Sequence, residues 1–364
     1  MAYRIVLFVG CWMALAAQGA HTSVTIGNLL VVYRGRGVLS TNVIQGTNAV
    51  HATVTISSAA RGESVQMRVT PRGALLGMPY HVTLISPSNQ LTAVTVNFGK
   101  GPTNTLYTNT LNAIVNDLGT LQVKHADLSV TSTTVRSIGR VQAQPGVSCL
   151  YAPHARIGSI IAHAYVGDVN TFNAPVTNIL PAFRIWAERI NLIRTKREAP
   201  QWVGHVFADR IGKIRTTSLS HIAASTWIGL LRCTNLTGFV QVGIILTNGQ
   251  FYGIMPHGVI QRIRTGIIYD SCILASVPYL AQTAGTGTYY DTVASLGSIK
   301  SVRARSTLNS VLVSKRHIGF GGRRKRPRYG NGTEIWENMK LRKIKIYPQA
   351  AALVAADDEE ELEP

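Results

Sequence analysis

The sequence predicts an all-β protein: mainly antiparallel strands in sandwich-like or aggregating β-rich domains, one short helix, and a disordered C-terminal tail, first basic and then acidic. Three observations predict it. Apolar and polar residues alternate with period two through long stretches rich in Val, Thr and Ile. Turn clusters such as Pro71-Arg72-Gly73 and Ser86-Pro87-Ser88-Asn89 separate those stretches. Charged residues make up only 15% of the 364, against roughly 25% in an average soluble protein, and they crowd toward the C-terminus.

The elements follow in chain order. Residues 1–19 read as a secretory signal peptide: Arg4 supplies the positive start, and Ile5 to Ala17 is an apolar run. That run is shorter than the ~20 residues of a spanning helix. Small residues at Ala17 and Gly19 place cleavage before Ala20 or His21. The mature chain is therefore expected to be secreted and extracellular, with no membrane span. A β-rich region covers 20–182, where Val50, Ala52, Val54 and Ile56 alternate with His51, Thr53, Thr55 and Ser57. Residues 183–200 read as a short amphipathic helix and basic linker, because Phe183, Trp186, Ile190 and Ile193 fall at helical spacing. A second β-rich region covers 201–314. In it Val240, Val242, Ile244 and Leu246 run into Asn248-Gly249, followed by Phe251-Tyr252-Gly253-Ile254, a hairpin signal. A basic segment, 315–348, and an acidic tail, 349–364, complete the chain.

Thirty-six Lys and Arg against 17 Asp and Glu give a net charge of +19, which points to negatively charged partners. No Gly-x-Ser-x-Gly or His-Glu-x-x-His occurs, and no pair of acids has glycosidase character, so no catalytic residue, metal site or cofactor is expected. Of the four cysteines, Cys11 leaves with the signal; Cys149, Cys233 and Cys272 remain, an odd set in an oxidising compartment. Arg323, Arg324, Lys325, Arg326, Arg328, Lys340, Arg342, Lys343 and Lys345 form a candidate surface-binding cluster. The uncharged strands Val50–Ile56 and Val240–Leu246 are candidate assembly strands. Arg194, Lys196 and Arg197 fit a dibasic processing site, or simply the basic end of the helix. Asn235 and Asn331 open N-glycosylation sequons.

With its signal peptide, its basic Thr/Val/Gly-rich body, its few cysteines and phrases such as Leu246-Thr247-Asn248-Gly249-Gln250-Phe251-Tyr252-Gly253, the chain resembles the bulk cement proteins of barnacles. The resemblance implies a secreted, insoluble underwater adhesive held together by non-covalent β-rich aggregation. Read this way, the chain is a self-assembling adhesive, pairing with itself and other matrix or cement proteins and adsorbing to negatively charged surfaces. Two alternatives stand beside it: a viral coat-like β protein with a basic nucleic-acid arm, which the signal peptide disfavours, and an egg-coat or matrix protein processed at Arg197.

Overall fold

Strands of this chain pair with the next strand but one, in parallel and in register, so that equivalent side chains lie above one another. The computed structural model describes residues 13–15, 22–45, 49–57, 61–70, 79–86, 90–99, 109–132, 135–167, 183–196, 201–247, 250–255, 257–276, 297–314, 319–320, 332–336 and 339–340. The chain divides into two units, Met1–Ala164 and Tyr165–Pro364.

Unit 1 contains β1 (Met13–Leu15), β2 (Thr22–Ile26), β3 (Leu29–Arg34), β4 (Val38–Gln45), β5 (Val50–Ser57), β6 (Arg61–Val69), β7 (Tyr80–Ser86), β8 (Gln90–Asn97), β9 (Thr110–Val115), β10 (Leu118–Lys124), β11 (Asp127–Thr131), β12 (Ser137–Gln144) and β13 (Gly146–Ala162). One parallel stack runs β5, β7, β9, β11 and the first part of β13. The other runs β6, β8, β10, β12 and the last part of β13. Because the chain alternates between the stacks, the topology is that of a parallel β-helix. Antiparallel strands close its N-terminal end: β4 on β5, β3 on β6, and β2 on β3. The turn joining β3 to β4 is pinned by two buried side chains. Tyr33 Oη accepts the Gly37 N–H at 2.9 Å, and Glu63 Oε1 accepts the Arg36 N–H at 2.9 Å.

Unit 2 contains β14 (Tyr165–Val166), β15 (Ile185–Thr195), β16 (Trp202–Arg215), β17 (Ser218–Arg232), β18 (Asn235–Val242), β19 (Ile244–Thr247), β20 (Gln250–Ile254), β21 (Val259–Arg264), β22 (Ile267–Ala275), β23 (Ser298–Ile299), β24 (Ser301–Arg303), β25 (Ser306–Ser314), β26 (Gly319–Phe320), β27 (Gly332–Trp336) and β28 (Met339–Lys340). The same logic repeats. The first halves of β16 and β17 stack with β18, β22 and β25. Their second halves stack between β15 and the pair β21 and β24. Fully buried columns run along the stacks, among them Ile211, Ile228, Ile260 and Ile299. Each such aliphatic side chain contributes roughly 1.5–3 kcal/mol by burial, and in a stack it meets its own kind on both sides.

The all-β expectation holds, but the expected antiparallel, sandwich-like pairing does not. Among the described residues antiparallel pairs are confined to β1–β6, the β19–β20 hairpin, and β27 and β28 on β25. Period-two alternation specifies which side of a strand is buried; it carries no information on the direction of the neighbour. The Asn248-Gly249 signal is met by β19 and β20, which pair Thr247 with Gln250.

The helix expected within 183–200 is also corrected, since Ile185–Thr195 is strand β15. Its inward residues are Ile185, Ala187, Ile190, Ile193 and Thr195, with two outward residues at each of the steps 188–189 and 191–192. Such corners impose a spacing of three on a strand, which imitates a helical repeat. The same device shapes unit 1: Leu118 and Leu121, Ile138 and Val141, and Ile157 and Ile160 point inward across corners at Gly119, Gly139 and Gly158.

These glycines stack so closely that a Cβ on Gly139 would meet the carbonyl oxygen of Gly119, and one on Gly158 that of Gly139. The obstacle is backbone, which cannot swing aside as a side chain would. Gly139→Val should therefore destabilise unit 1 by about 2–4 kcal/mol, read as a lower urea midpoint. An unchanged midpoint would show that the stack can open at this corner.

Candidate functional site

The sequence of unit 2 repeats a short phrase, Ile-x-x-Φ-Arg, where Φ is aliphatic: Ile190 to Arg194, Ile211 to Arg215, Ile228 to Arg232, Ile260 to Arg264 and Ile299 to Arg303. The two aliphatic positions of every copy are buried to within 1% exposure. The arginines are in register: Arg194 with Arg215, Arg215 with Arg232, Arg232 with Arg264, and Arg264 with Arg303. Five guanidinium groups thus rise from consecutive rungs at a strand spacing of ~4.8 Å, a column roughly 19 Å long. Arg215 is half-buried, its Nε enclosed without a hydrogen-bond partner, whereas Arg194, Arg232, Arg264 and Arg303 are exposed.

The turn that follows each arginine holds the column in place. Arg232 O accepts the Thr216 N–H at 3.1 Å, Arg264 O the Cys233 N–H at 3.0 Å, and Arg303 O the Thr265 N–H at 2.9 Å. Thr195 Oγ1 donates to Thr216 Oγ1, and Thr216 Oγ1 to Gln201 O, both at 2.9 Å. Behind these turns the Cys233 thiol is pushed up to about 11 by burial, a hydrogen bond with Thr265 acting weakly the other way. It therefore stays protonated near neutral pH.

Further bases lie on the same stack: Arg189 and Arg210 pair across β15 and β16, Lys213 and Arg262 face outward, and Lys300 and Arg305 flank β24. Arg210 Cζ sits 5.6 Å from the centre of the Trp227 ring, a cation–π contact. The acids of β15 and β16, Glu188 and Asp209, stand across the corners from the column, and Asp209 Oδ1 takes the Ser225 hydroxyl at 2.9 Å.

A second polar cluster lies inside unit 2. His205 and His221 occupy equivalent positions on adjacent rungs, both in the left-handed region at φ 54° and 51°. Their rings stack at 4.8 Å between centroids, and their exposures are 4% and 7%. Ser220 Oγ lies 2.6 Å from His221 Nδ1. The next rung closes the column with Gly238, φ +69°, where a Cβ would meet Ser220 Oγ and the His221 ring. Burial, then the neighbouring His205, lowers the His221 pKa to about 4.

The expected site residues are dispersed by the fold. Val50, Ala52, Val54 and Ile56 are core side chains of β5, a strand paired on both sides, by β4 and β7. Val240 and Val242 are core side chains of β18, Ile244 is buried on β19, and Leu246 lies further along that strand. Arg194 and Lys196 sit at the end of β15, and Arg197 lies outside the described residues. Asn235 opens β18 half-buried, its N–H donating to Thr217 O at 2.9 Å. Cys149 is half-buried on β13 and Cys272 is on β22. Lys340 lies on β28; Arg323, Arg324, Lys325, Arg326, Arg328, Asn331, Arg342, Lys343, Lys345 and the acidic tail lie outside the described residues. Among the described residues no group of three or more His, Cys, Asp or Glu could hold a metal ion. No helix there is long and apolar enough to cross a membrane.

No protein-family model, curated protein or solved structure matches the chain.

Two predictions follow from these placements. His221 stays neutral in the folded state below its ordinary pKa of 6.5, so the unfolded chain binds the extra proton first. Stability should fall as pH drops from about 6.5 to about 4, by on the order of 3 kcal/mol, and His221→Asn, which tolerates the left-handed region, should flatten that part of the urea-midpoint profile. Equal pH slopes in parent and variant would refute the assignment. Val54→Lys places an ammonium where exposure is 0%. Its outcome should be loss of the cooperative thermal transition of unit 1, not slower association of a folded chain.

Proposed function

We propose that the chain is a secreted, self-assembling adhesive that adsorbs to negatively charged surfaces through the basic stack of unit 2. One observation carries the reading: five arginines, supplied by five copies of one phrase, stand in register on a paired strand stack. The two positions between the aliphatic residues change from rung to rung, with Asn191, Gly212, Gly229, Gln261 and Lys300 in one column, where the two glycines stack closely, and Leu192, Lys213, Leu230, Arg262 and Ser301 in the next. The arginine is the same in all five copies. Each guanidinium presents a planar fork of donors that remains charged at any physiological pH, suited to carboxylate, sulfate, phosphate or silanolate oxygens. Adsorption releases the counterions held by the surface, so binding is strong at low salt and weakens as salt rises. The role is the one implied by the resemblance to barnacle bulk cement proteins, and it uses no catalytic group.

The test is adsorption to silica across a series of NaCl concentrations. Replacing Arg232 and Arg264 by Gln should lower the slope of log affinity against log salt by roughly 1 per arginine. Arg68→Gln, an exposed position on β6 of unit 1, should change it far less. Equal slopes in all three proteins would remove the column from the adsorbing surface. Preferential binding of single-stranded nucleic acid over silica at matched salt would favour the coat-protein alternative.

A further inference from the structure

The arginine column has a second column beside it. Two residues before each arginine, with one buried residue between, stand Leu192, Lys213, Leu230 and Arg262 on successive rungs, each in register with the next. A residue and its second neighbour lie on the same side of a strand, so both columns face outward together. Cations occupy every second rung of the new column, and leucines, both half-buried, occupy the rungs between. The two columns complement one another. Beside Lys213 stands Arg215, the half-buried arginine whose Nε is enclosed, whereas beside the leucines stand the exposed Arg194 and Arg232. The fourth rung carries two exposed cations, Arg262 and Arg264, and exposed Arg303 closes the row. Neither column carries an Asp or a Glu.

Resting on the adsorption reading above, we propose that this pair of columns binds a linear polyuronate, a chain of pyranose sugars with a carboxylate on each, lying along the stack axis with about one sugar per rung. Charge complementarity requires a polyanion, and the guanidinium forks suit carboxylates. The spacing then selects among polyanions. The cations recur at the strand spacing of ~4.8 Å, close to the advance of an extended, equatorially linked pyranose chain per sugar. The phosphates of an extended nucleic-acid strand are spaced more widely and fall out of step with the rungs. In a ribbon-like pyranose chain of two-fold symmetry, successive carboxylates point to opposite edges. Laid between the columns, such a ribbon turns one carboxylate toward Arg194, Arg232 or Arg303 and the next toward Lys213 or Arg262. Leu192 and Leu230 fall on the rungs whose carboxylates point the other way, where they cover the C–H edges of the sugars.

The experiment is isothermal titration calorimetry of the full chain at low salt, with mannuronate oligomers of increasing length. Affinity should climb with each sugar up to the pentamer, one sugar for each of the five rungs, and then level off. Arg262→Gln should weaken pentamer binding about threefold. Arg189→Gln, an equal loss of charge at an exposed position outside the two columns, should leave it unchanged. Leu230→Gln should weaken pentamer binding while adsorption to silica stays at the parent level. All three positions face outward, and unchanged thermal unfolding assigns the losses to binding. Affinity that rises with total charge and never levels off, equal effects of Arg262→Gln and Arg189→Gln, or tighter binding of a single-stranded oligonucleotide of the same charge would each overturn the proposal. A chain that fails these tests while its silica adsorption still depends on Arg232 and Arg264 loses the polyuronate and keeps the adsorption reading.

Discussion

Parallel, in-register hydrogen bonding between successive rungs is the constraint on which the rest of the molecule depends. It fixes a spacing of ~4.8 Å between equivalent residues and thereby turns any repeated residue into a column. The outcome varies with the residue. Isoleucine columns fill the interior with identical, interlocking shapes. Glycine columns allow one backbone to approach the next at the corners. Histidines at the 205 and 221 positions are forced into a buried stack that disfavours protonation of His221. Arginine columns bring like charges together, and nothing within the column compensates them.

Much of the fold was legible in the sequence, and what was not legible has a definite physical origin. Alternation at Val50–Ile56 identified a strand and its buried side correctly. It could not distinguish a neighbour two strands on from one returning in a hairpin, because both bury the same face. The strand at Ile185–Thr195 was misread for a different reason: its corners put two residues between inward positions, a spacing of three, and Phe183, Trp186, Ile190 and Ile193 then matched a helix by accident of spacing. Only where the local turn dictates the pairing, at Asn248-Gly249, did the sequence also reveal the direction of the strands.

The basic column was hidden by unequal intervals. Arg194, Arg215 and Arg232 recur at nearly even steps, but the β19–β20 hairpin enters before Arg264 and residues 277–296 before Arg303. A search for a constant period therefore fails, and attention passes to the contiguous basic run at Arg323–Arg328. The usable signal was the phrase itself, Ile-x-x-Φ-Arg, whose two aliphatic positions mark a corner and whose arginine marks the end of the rung. Insertions lengthen the connections without disturbing the phrase, because the register between stacked strands is set by buried side chains on either side of the inserted residues. Ile228 over Ile260 and Val242 over Ala275 maintain it here.

Along the stack every strand edge is satisfied by the next rung, so charge is presented on side chains alone. A ligand of the arginine column must then match a spacing set by the backbone, while its chemistry can vary among anionic groups. Changes at the positions between the buried residues therefore alter what the stack presents without altering where it is presented.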